Sequence, residues 1–118
     1  MDISDFGLTH PSSYHFAVEM MHRMNHAVAT SNTADADILV AWAADLKDDF
    51  TSGAHQGTGH QHGADTIDIN TVSKHAGWLA TELHAKMTSP TLSAASLAAL
   101  VADVTSIHSE MSSARAGM

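Results

Sequence analysis

The sequence predicts an all-α fold, an antiparallel up-down-up-down four-helix bundle with an extended N-terminal arm, and three observations predict it. Apolar residues recur every three or four positions in four stretches, strand-like alternation is sustained nowhere, and two short links and one long Gly/His-rich loop separate the stretches. The 118 residues suit one domain, residues 13–118, behind an arm of residues 1–12.

Thr9-His10-Pro11-Ser12-Ser13 joins a proline to hydroxyl residues, which reads as extended chain leading into a helix N-cap. The first helix is therefore placed at about 13–30, with Tyr14, Ala17, Val18, Met21, Met24 and Val28 as its apolar stripe. Thr30-Ser31-Asn32-Thr33 breaks that pattern and caps a second helix. Asp35 and Asp37 lie in its first turn, where the helix dipole favours acid, and Leu39, Trp42, Ala43, Leu46 and Phe50 form its core stripe up to a stop near Ser52-Gly53. Residues 53–64 hold four glycines and three histidines and form the long loop between helices two and three. Asp68 or Asn70 caps a third helix with Ile69, Val72, Ala76, Leu79, Leu83 and Met87 in its stripe, ending before Ser89-Pro90. Thr91 or Ser93 opens the fourth, which carries Leu97, Leu100, Val101, Val104, Ile107, His108 and Met111 and runs to about Ala114. Only the middle loop is long enough for a crossover, which defines the alternative topology.

Composition narrows the function. The net charge is −8, and Arg23, Lys47, Lys74, Lys86 and Arg115 form no basic stripe, so neither nucleic acid nor an anionic membrane is an expected partner. No run reaches transmembrane length, and the first residues lack the basic and apolar regions of a secretory signal, so a soluble chain is expected. Without cysteine there is no disulfide, thiolate zinc site, iron–sulfur cluster or cysteine nucleophile. No phosphate-binding loop, nucleophile elbow or dinucleotide fingerprint is present, and no enzymatic activity is assigned.

The ten histidines and seven methionines carry what chemistry there is. In an up-down-up-down bundle one end gathers His10, His15, His55, His60, His62, His75 and His108. There His75 and His108 fall nearly level, each ~10 Å inside its helix end, with Asp49 at the edge of the second helix's stripe. A carboxylate so placed is costly unless paired, and a metal ion would pair it. On the first helix His15, Glu19, His22 and His26 share a face nearly opposite the apolar stripe. That face reads as solvated polar surface, a surface metal site or a subunit interface, and of the four His22 is best placed to turn toward the core. The loop segment Gly59-His60-Gln61-His62-Gly63, with His55 before it, is a cluster of freely rotating imidazoles.

The expectation is a homo-oligomeric bundle that binds a first-row transition ion, Zn, Cu or Ni, for storage, buffering or structural cross-linking. Its candidate ligands are His75, His108, Asp49, His22, His55, His60 and His62. A second reading is a self-assembling structural subunit of a filament, shell or virion whose histidines are surface groups. A third is a non-covalent haem bundle with axial His and Met, drawing on His108 and Met20, Met21, Met24 or Met111. Glu19-Met-Met-His22 has the spacing of a ferritin-like di-metal helix. With only Glu82 and Glu110 as further glutamates, the chain does not supply that ligand set.

Overall fold

A computed structural model describes residues 1–51 and 93–118, apart from the side chains of Ser12, His15, Asp45, Asp49, Phe50 and Thr51. All regular structure within them is helical: two 3-10 turns, Ile3–Phe6 and Pro11–Ser13, and three α-helices, α1 (Tyr14–Ala29), α2 (Thr33–Thr51) and α3 (Ala94–Ala116). α3 is the fourth helix of the sequence reading. The predicted 53–64 loop and third helix lie outside the described residues.

Local chemistry sets the helix ends. α1 closes where the Thr30 N–H and its hydroxyl both donate to the His26 carbonyl, at 3.0 and 2.8 Å. Ser31 then takes a left-handed conformation, φ 53°, which turns the chain back, and the Asn32 N–H donates to the Ala27 carbonyl at 2.8 Å. The Asn32 side chain accepts from the Asp35 N–H at 3.1 Å, occupying one of the unpaired donors of the first turn of α2. Of the two residues predicted to open the last helix, Ser93 is the cap: its hydroxyl accepts from the Ser96 N–H at 3.1 Å.

The three-residue link folds α2 back against α1. At the end where that link lies, Arg115 Nε donates to Asp37 Oδ1 at 2.6 Å, and Val28, Ser31, Thr33, Gly117 and Met118 surround one pocket. α3 is therefore antiparallel to α2 and runs in the same direction as α1. In the predicted up-down-up-down order the last helix opposes the first, so that part of the expectation is corrected. The direction of α3 is fixed by its packing against α2 and the arm, which a reading based on link lengths does not include.

Phe16, Ala17, Met20, Met24 and Ala27 of α1 meet Ala36, Leu39, Trp42, Ala43 and Leu46 of α2 and Leu100, Val104, Ile107 and Met111 of α3 in one core. The stripes of α2 and α3 agree with the sequence reading wherever side chains are described. That of α1 is rotated by about 80° on a helical wheel: Phe16 and Met20 point inward, while Tyr14 and Val28 are exposed.

The arm accounts for this rotation. Residues 1–13 are not extended throughout; Asp2 and Asp5 form a capping box around the first 3-10 turn, and Gly7, at φ 59°, ends it. Phe6 is fully buried in the core. The Asn25 side chain accepts from the Met1 amine at 3.0 Å and donates to the Met1 carbonyl at 2.8 Å. The Ser106 hydroxyl donates to the Phe6 carbonyl. The arm thus runs down the α1/α3 seam, opposite in direction to both helices, over the side of α1 that carries Met21 and Asn25. The arm occupies that flank through Met1 and Asn25, and α2 and α3 take the next face round.

Candidate metal-binding histidines

Of the seven candidate ligands, the structure places two side chains. His22 stands on α1 and is exposed, as is His26 one turn later. Their face lies opposite the buried Met20, Met24 and Ala27, and His22, expected as the one best placed to turn toward the core, does not do so. Next to it Arg23 Nε donates to Glu19 Oε1 at 2.7 Å.

His108 is partly buried on α3, one turn from Met111. Its Nε2 lies 3.4 Å from the Ser112 hydroxyl, at the edge of an open groove that Lys47 and Thr105 also line. Burial first, and the Lys47 ammonium second, hold this imidazole below the ordinary histidine range, with Asp48 opposing them in part. The expected gathering of His108 with the histidines near the start of α1 does not occur. Because α3 runs alongside α1, His108 lies ~22 Å along α3 from its Ser93 cap, away from the end where His10 and the start of α1 lie. Asp49 is in the last turn of α2 with its side chain outside the described residues, and His55, His60, His62 and His75 lie outside them altogether. Among the described residues no three His, Asp or Glu side chains come together as a metal-holding group. Met20, Met24 and Met111, offered as haem ligands, are fully buried core residues.

The most constrained polar group is one the sequence reading passed over. Asp103 is fully buried on α3 and holds the arm. Its Oδ1 accepts from the Thr9 N–H at 2.8 Å and the Thr9 hydroxyl at 2.7 Å, and its Oδ2 accepts from the His10 N–H at 2.9 Å. The Ala99 carbonyl is a second acceptor for the Thr9 hydroxyl, at 3.2 Å. A buried carboxylate is tolerated when donors surround it, and here the arm supplies them. Its signal in the sequence was register: Asp103 stands three residues after Leu100 and four before Ile107, inside the core stripe. Where the arm enters α1, Ser13 is also fully buried, and its hydroxyl has no hydrogen-bond partner.

None of the described helices is long and apolar enough to cross a membrane. Comparison with known proteins finds no family model that matches the chain, no similar curated protein and no similar solved structure.

Proposed function

We propose that this protein binds a first-row transition ion through histidine, with His55, His60 and His62 as the principal ligands and Asp65 as a neighbouring oxygen donor. The observation that carries the reading is three imidazoles within eight residues, in a chain of net charge −8 that offers no thiolate to compete for the ion. The scaffold is consistent with it. α2 ends and α3 begins at the same end of the structure, the end where His10 is held by its backbone N–H against Asp103. His108 is the weaker candidate, because the Lys47 ammonium beside it opposes a second cation. A four-helix bundle completed by the segment around His75 belongs to the same reading.

Native mass spectrometry of metal-stripped protein, with one equivalent of Zn²⁺, Cu²⁺ or Ni²⁺ in turn, tests it. Uptake of one ion that is lost on His55→Ala/His60→Ala/His62→Ala, and kept on His108→Ala, is the expected result. Uptake indifferent to the triple substitution would overturn it.

A further inference from the structure

The solvent face of α1 carries a second arrangement of imidazoles. His22 and His26 are one turn apart and exposed, and neither side chain is engaged by another group among the described residues. Helical residues four apart have Cβ atoms about 5–6 Å from each other, so two imidazoles at that spacing can converge on one ion at about 2.0–2.1 Å. We propose that His22 and His26 form a two-imidazole site for a divalent first-row ion, taking Cu²⁺ ahead of Ni²⁺ and Zn²⁺.

Three features make this pair more than two surface residues. The opposite face of the same turns is locked, because Met20, Met24 and Ala27 are buried in the core. The last turn is closed on His26 itself, whose carbonyl accepts from both the N–H and the hydroxyl of Thr30. Of the cations on this stretch, Arg23 is paired with Glu19 at 2.7 Å and the Met1 amine is held by the Asn25 side chain at 3.0 Å. A rigid helix surface spares the ordering cost that a freely rotating pair of ligands meets on binding. His26 also stands in the last turn of α1, where the negative end of the helix dipole favours a bound cation. Two protein ligands leave the remaining coordination positions to water.

This site does not depend on His55, His60 and His62, and α1 places His26 at the end of the scaffold opposite Thr51 and Ser93. The test is calorimetric titration of the full chain with Cu²⁺, in the His55→Ala/His60→Ala/His62→Ala background, with circular dichroism to verify that helix content is kept. Two further variants are compared there. His26→Ala removes one ligand. His26→Ala/Ala29→His keeps the number of histidines but sets the pair two turns apart, at a position that is itself exposed. A Cu²⁺ affinity at least tenfold weaker in both variants than in their parent is the expected result. An affinity within twofold of the parent in the shifted variant, or a parent that binds no Cu²⁺, would overturn the proposal. The wild-type chain reads the other site separately: if it binds no more Cu²⁺ than the triple variant, the reading of His55, His60 and His62 fails while that of α1 stands.

Discussion

Replacing Asp103 with alanine takes the acceptor away from the Thr9 and His10 N–H groups at the partly buried contact between the arm and α3. The expected loss is about 1.5–3 kcal/mol of unfolding free energy in urea titration, since hydrogen bonds to a charged acceptor are worth more than neutral ones. Ser13→Ala works in the opposite sense. Its hydroxyl is buried without a partner and caps nothing, so removing it is expected to leave stability unchanged or raise it by up to ~1 kcal/mol. A destabilisation by Ser13→Ala as large as that by Asp103→Ala would show that the hydroxyl has a partner in solution. Residues of this kind are where a sequence says least. Asp103 was detectable by its register with Leu100 and Ile107, but its partners lie more than ninety positions away, and only the fold brings them near.

At the scale of elements, helix positions and caps were legible because they depend on neighbours. The turn Thr30–Asn32, the Ser93 cap and the stripes of α2 and α3 are local patterns, and the structure shows each of them. The facing of α1 was not, since the arm rather than another helix occupies the flank of α1 at Asn25. The α2/α3 seam also sets a pH dependence. Burial and Lys47 hold folded His108 below its ordinary value of about 6.5, so in acid the unfolded chain takes up this proton before the folded chain does. The associated stability is fully present above the ordinary value and is lost as pH falls from there through the folded value. Denaturant unfolding between pH 7 and pH 5 is expected to show a shallower decline for His108→Gln than for the parent chain; equal slopes would assign the decline to other groups.

For the whole molecule, the all-helical class could be read from periodicity, but the direction of the last helix could not, because helix direction follows from link length only where links are short. That direction can be measured in solution, and the absence of cysteine makes labelling simple. A spin label on Met118→Cys is expected to broaden the amide signals of Val28 to Thr33 and to leave those of Phe16 and Ala17 sharp. The reverse pattern is what an up-down-up-down order requires. The candidate metal site was legible only as composition: the sequence reading gathered seven histidines at one end, and the direction of α3 removes His108 from that group.

The clasp between Thr9 and Asp103 also orders events during synthesis. Ninety-four positions separate the two residues, and at about 5–20 residues per second a ribosome needs roughly 5 to 20 s to travel that distance. Through that interval Phe6 has no α3 to bury it, while α1 and α2, joined by three residues, can already pair. The arm leaves the ribosome ahead of all three helices and is therefore among the last segments to find its place, and a nascent chain halted before Leu100 carries its arm unprotected.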